Sequence, residues 1–189
     1  MNWKYALVWC SVLLTTQLWG QNFVRYADLA SHHKDSVKAI EVTKLKEKIF
    51  PAVLLEYKNL EHLVISKGAL ENLEGLEKMT SLKTLKIDKL DLAFFPKEVI
   101  NLVNLEVLTI SRIDFGAVPS EIGQLSNLTF LDLYGAGITG LPEEMQNLTN
   151  LKRLDLSGVS LTAPEQKAIK EMLPSVKVRM DAPCNCMSH

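Results

Sequence analysis

The chain has 189 residues, 47% of them hydrophobic and 23% charged, with a formal net charge of −1. That is the composition of one globular domain, and its near-neutral balance excludes the broad basic footprint of a nucleic-acid binder.

Lys4 precedes an apolar run from Tyr5 to Leu14, followed by Thr15, Thr16, Gln17 and a small residue, Gly20. A positive start, a short apolar stretch and a small residue form a secretory signal peptide, with cleavage expected after Gly20. The run is shorter than the roughly 20 residues that a membrane span needs, so no span is expected after cleavage. Trp9 directly before Cys10 departs from a bacterial lipoprotein signal, which argues against lipid anchoring. The mature chain is therefore expected to be secreted, periplasmic or at the cell surface. Residues 21–38 read as an N-terminal lead-in, polar and weakly helical between Tyr26 and Ser36, that shields the first coil of the domain.

From there the chain is periodic. Phe95-Pro96, Val118-Pro119 and Leu141-Pro142 recur every 23 residues. Each pair opens the same series of apolar positions: Val99, Leu102, Leu105, Leu108 and Ile110; Ile122, Leu125, Leu128, Leu131 and Leu133; Met145, Leu148, Leu151, Leu154 and Leu156. Phe50-Pro51 opens an earlier unit, and the unit after it is one residue shorter. A period in the twenties signals a solenoid, because one unit has too few apolar groups to bury its own face and must stack on its neighbours. The closing Leu-x-Leu alternation is a short strand, and the earlier steps of three and four are a helical or 3-10 turn. This predicts about seven parallel strands, at 40–42, 63–65, 85–87, 108–110, 131–133, 154–156 and 176–178, in a stack roughly 30 Å long. Repeats occupy 39–163. A cap follows at 164–180: Pro164 opens a helix that places Ile169, Met172 and Leu173 on one face, and a last strand carries Lys177 and Arg179 to discourage edge pairing. Residues 181–189 read as a flexible tail.

This pattern resembles the leucine-rich repeat family, in the 23-residue Leu-Pro-x-x-Ile class of plant Ras-group and many bacterial proteins. The resemblance covers about residues 38–178 and implies an α/β, right-handed solenoid with a parallel sheet on its concave face, used as a binding scaffold for proteins. The family places Asn or Cys three residues after the second strand leucine, where this chain has Leu45, Gly68, Leu90, Ile113, Ala136 and Val159. Either apolar packing replaces that ladder and leaves the turn carbonyls to backbone or water, or the turns follow another path; the first is expected.

Strand alternation that buries the leucines turns Glu41, Val64, Lys86, Thr109, Asp132 and Asp155 outward, flanked on one side by His62, Thr84, Val107, Phe130 and Arg153. Val107, Phe130 and Tyr134 are apolar or aromatic groups at outward positions. With Thr109, Asp132, Arg153 and Asp155 around them they form an apolar centre with a charged rim, the anatomy of a protein-binding patch, set against the ordinary occurrence of isolated surface apolars. A second column, Lys44, Lys67, Lys89 and Arg112, then Gly135 and Gly158, is a basic strip that could attract acidic partners or anionic glycans, although lysine rows are ordinarily just solvated. Cys184, Cys186 and His189 form a tail with soft-metal or redox chemistry, with a frayed terminus as the default and no resident metal or cofactor expected. The sequons at Asn127 and Asn147 read as by-products of the repeat. No nucleophile with an orienting base, phosphate loop or paired carboxylates in an apolar pocket points to an enzyme. The leading reading is a secreted, non-catalytic module that binds a protein or cell-surface ligand. A metal or redox tail and a structural, self-associating surface protein are the alternatives.

Overall fold

A computed structural model describes residues 22–184; the signal segment, Cys186 and His189 lie outside the described residues. The chain winds into stacked coils that build one eight-stranded parallel sheet. Its strands are β1 (Val24–Arg25), β2 (Ala39–Thr43), β3 (His62–Gly68), β4 (Thr84–Leu90), β5 (Val107–Ser111), β7 (Phe130–Asp132), β9 (Arg153–Asp155) and β10 (Lys177–Arg179). Two short strands, β6 (Asp114–Gly116) and β8 (Gly137–Ile138), pair in parallel beside it.

The inward column runs in unbroken register through Ile40, Leu63, Leu85, Leu108, Leu131 and Leu154, each almost wholly buried. On the opposite side the coils close through 3-10 turns at Ala52–Glu56, Leu76–Lys78, Lys97–Asn101, Ser120–Gln124 and Glu143–Asn147. Four of these begin just after Pro51, Pro96, Pro119 or Pro142, because a ring-fixed φ suits the entry to a turn and the missing N–H costs nothing there. In the shorter unit Gly75 stands at that place with φ 98°, a conformation that favours glycine. Each turn lowers one fully buried apolar side chain into the core: Leu54, Leu76, Val99, Ile122 or Met145.

Two expectations are corrected. The sheet has eight strands rather than seven, because Val24–Arg25 in the lead-in pairs with Ile40–Glu41. This strand carries no leucine pattern and lies 16 residues before its partner, off the period. The closing strand is 177–179, not 176–178: Val178, not Val176, stands opposite Leu154. Here the five-residue 3-10 turn gives way to α1 (Ala163–Met172), a ten-residue helix, whose smaller rise per residue takes more chain around the coil. At the start of the expected tail, Cys184 N–H donates to the Leu161 carbonyl at 3.0 Å, and the Asp181 carboxylate accepts from Gly158 N–H at 2.7 Å.

α1 is fixed by a reciprocal cap in which Thr162 and Glu165 satisfy each other's ends, and it buries Ile169 against the last coil. The turn positions that lack asparagine are filled by buried Leu45, Leu90, Ile113, Ala136 and Val159. Backbone groups satisfy the neighbouring carbonyls, as in Ala69 N–H to Leu45 O and Gly137 N–H to Ile113 O. Apolar packing does replace that ladder.

Candidate functional site

The register sets the outer face of the sheet. Its central column reads Arg25, Glu41, Val64, Lys86, Thr109, Asp132, Asp155 and Arg179. The column beside it contains His62, Thr84, Val107, Phe130, Arg153 and Lys177. The patch residues are therefore immediate neighbours: Val107, Phe130 and Arg153 follow one another on three coils, and Thr109, Asp132 and Asp155 do so alongside. The Arg153 guanidinium lies 5.2 Å from the centre of the Phe130 ring, within cation–π range. Tyr134 is 48% exposed, an aromatic group left largely in water. Thr109 and Asp155 are buried, so they shape the floor of the patch more than its surface.

The acids of this face differ in their surroundings. Asp88 is buried and accepts from Arg112 Nε at 2.8 Å and from Ser111 Oγ at 2.8 Å, with Arg112 Nη2 on its other oxygen. Burial pushes its carboxyl up, but these donors outweigh burial and hold it below the ordinary value. Asp155 has Arg179 at 3.5 Å. Asp132 has no basic partner among the described ion pairs; its Oδ1 accepts Tyr134 N–H at 2.9 Å. Burial raises its carboxyl above the ordinary value, the nearby Asp155 charge adds to this, and the Tyr134 N–H opposes it. Asp132 and Asp155 also explain why β7 and β9 are short. Each carboxylate captures the N–H two residues on, from Tyr134 and Ser157, a local bond that competes with the strand ladder.

The basic strip has a structural origin. Lys44, Lys67, Lys89 and Arg112 all have left-handed φ, between 53° and 57°, and Gly135 and Gly158 continue the series at 61° and 76°. The column is the left-handed bend by which every coil leaves the sheet. The structure brings Lys44, Lys67 and Lys89 onto adjacent coils as exposed groups, whereas Arg112 is spent on Asp88.

At the other end of the strands lies a row that the apolar periodicity did not single out. Asn59, Asn104, Asn127 and Asn150 each donate from Nδ2 to a carbonyl of the preceding coil, those of Asp35, Thr80, Val103 and Ser126, at 2.8–3.1 Å. Ser81 substitutes in the short unit through the Leu60 carbonyl. The ladder missing from the turn after the strands exists before them, and its signal was the recurrence of Asn ahead of Leu60, Leu105, Leu128 and Leu151. Asn127, read as a sequon arising from the repeat, uses its nitrogen in this way. The same edge holds Glu61 between Lys38 and Lys83, at 2.7 and 2.6 Å. Their ammonium hydrogen bonds, Lys38 first, bring the Glu61 carboxyl down to about 2. His62 beside it is pushed down by burial, and its Nδ1 has no partner.

Among the described residues no three metal-ligating side chains converge, and Cys184 is partly buried as a free thiol. No helix among them is long and apolar enough to cross a membrane.

Stacked coils built on an eight-stranded parallel sheet define a repeat scaffold. A family model described as a leucine-rich repeat region matches residues 37–179, most of the chain, and the chain belongs to the leucine-rich repeat family. No curated protein shows significant sequence similarity to it. Among solved structures, it resembles the leucine-rich repeat domain of the type III effector XopL, with 26% identity over 82% of this chain and 55% of that one and a TM-score of 0.67. A leucine-rich repeat protein of Leptospira interrogans is 28% identical over 75% of this chain and 43% of its own, with a TM-score of 0.57. An internalin, InlF, from Listeria monocytogenes shares the fold at 17% identity, covering 76% of this chain and 43% of that one with a TM-score of 0.59. The chain spans 43–55% of the length of these three structures. The family is typically a scaffold for protein–protein recognition.

Proposed function

We propose that this chain is a secreted, non-catalytic recognition module that binds a protein ligand through the outer face of its sheet, centred on Phe130. The observation that carries this reading is the join of Val107, Phe130 and Arg153 on consecutive coils beside a largely exposed Tyr134. Aromatic and arginine side chains so placed are the groups that dominate binding energy when a partner covers them. The family's ordinary use supports the same conclusion, and the leader at residues 1–20 supports export.

A photo-crosslinking amino acid placed at Tyr134 should capture a defined protein from the native host's surface fraction. Capture should fail when Phe130→Ser is added, and the same group at the exposed Val53, on the 3-10 side of the coils, should capture nothing. Equal capture at both places would refute the proposal. The export arm is tested by N-terminal sequencing of the exported chain, which should begin at Gln21.

A further inference from the structure

Among the described residues the patch contains one acid that no basic side chain contacts. Three carboxylates lie on the outer face within a few coils. Asp88 is held by Arg112 and Asp155 by Arg179, whereas Asp132, between them in sequence, is in no ion pair among the described residues and feels Lys86 only at a distance. In the neighbouring column the Arg153 guanidinium is turned to the Phe130 ring. A half-buried carboxylate without a cationic partner loses hydration and recovers little in exchange.

The groups around it match one kind of visitor. Phe130 and Asp132 alternate along β7 and face outward, and Tyr134, just past the end of the strand, is tied by its N–H to the Asp132 carboxylate and leaves its ring 48% exposed. A carboxylate with one oxygen free and an aromatic group on either side of it suits a flat cation with several donors. A guanidinium stacks on aromatic faces and offers five N–H groups in a fixed fork; an ammonium does neither.

We propose that Asp132 receives an arginine side chain of the protein ligand, held between Phe130 and Tyr134. This rests on the reading of the outer face as the binding surface and names the chemistry of its partner.

The test uses N-acetylarginine methylamide as the probe, titrated into the isotope-labelled chain and followed by the backbone amide of Tyr134, which reports directly on Asp132. A saturable shift is expected. The neutral isostere N-acetylcitrulline methylamide should produce none, and N-acetyllysine methylamide a weaker one. Asp132→Asn keeps the Oδ1 acceptor for Tyr134 N–H and so should keep the fold, checked by an unchanged melting temperature, while weakening the probe by about tenfold or more. Binding of citrulline or lysine as tight as arginine, an unchanged affinity in Asp132→Asn, or no saturable shift would each overturn the inference. Crosslinking at Tyr134 is an independent readout. If it captures a partner while the arginine probe fails, the surface reading stands and the arginine falls.

Discussion

Replacing Asp88 by Ala removes the most enclosed charge interaction described on the sheet, and the structure sets its size. Three hydrogen bonds vanish, two from Arg112 and one from Ser111. Ser111 is 5% exposed, so its hydroxyl is left buried without that partner, a loss of about 1–3 kcal/mol. The Arg112 side chain is 43% exposed and regains water, which keeps the ion-pair part near ~1 kcal/mol rather than the larger cost of stranding a buried charge. The total is about 2–4 kcal/mol, read by urea unfolding at neutral pH with circular dichroism. The pH dependence gives a second, independent check. The Asp88 carboxyl is held below its ordinary 3.8 in the folded chain, so its contribution is fully present above that value and is lost as pH falls through the lower folded value. The gap between wild type and Asp88→Ala must therefore narrow in acid. Arg112→Ala leaves mainly the Ser111 hydroxyl to oppose burial at Asp88, so its carboxyl rises and this variant's deficit also shrinks as acid neutralises it. A loss below ~0.5 kcal/mol for Asp88→Ala, or a gap that is constant with pH, would refute the reasoning.

Other positions give smaller but equally definite outcomes. Lys67→Gly relieves a left-handed φ of 55° and should stabilise by up to about 1 kcal/mol, while Gly135→Ala imposes one and should cost about 1 kcal/mol, both read by the same unfolding assay. Asn127→Ala deletes the amide bond to the Val103 carbonyl and should cost about 0.5–1.5 kcal/mol, with faster hydrogen exchange in the coils it joins. Glu61 should titrate at about 2 by carboxyl carbon NMR, and Lys83→Met should move it back towards 4.5; its pairing is present above the ordinary value and is lost only as pH falls through about 2.

The inward columns were legible because burial leaves no latitude: a parallel strand inside a stack accepts leucine, isoleucine or valine at alternate positions and little else. The same alternation assigned the outward columns, which is why Val107, Phe130 and Arg153 emerge as neighbours in the structure. The closing strand was not legible to the residue. Val176, Val178 and Met180 are all apolar and all pack against the core, so a slip of two residues preserves the face and the hydrophobic pattern cannot choose between registers. The strip from Lys44 to Arg112 looked like a charge pattern and is a backbone feature, its meaning carried by Gly135 and Gly158 in the same column. The asparagine row was visible as a recurrence, but its purpose depended on a carbonyl 24 residues earlier, which only the stacking of coils brings within reach.

The register of that last strand bears on recognition. With Val178 opposite Leu154, Arg179 stands opposite Asp155 and Lys177 opposite Arg153. Arg179 can then draw on Asp155, while Lys177 adds a like charge beside Arg153 and gives that guanidinium no carboxylate in its own column. Arg153 stacks on Phe130 instead, one column away from Asp132. A one-residue insertion between Met172 and Lys177 separates these effects. If the chain accommodates it by moving Val178 away from Leu154, Asp155 loses Arg179 and becomes a second unpaired acid next to Asp132, whose carboxyl the Asp155 charge already helps to raise. Carboxyl NMR on that variant should show the Asp132 carboxyl moving further up. An unmoved Asp132 would mean that the arginine at 3.5 Å does nothing to offset the Asp155 charge beside it.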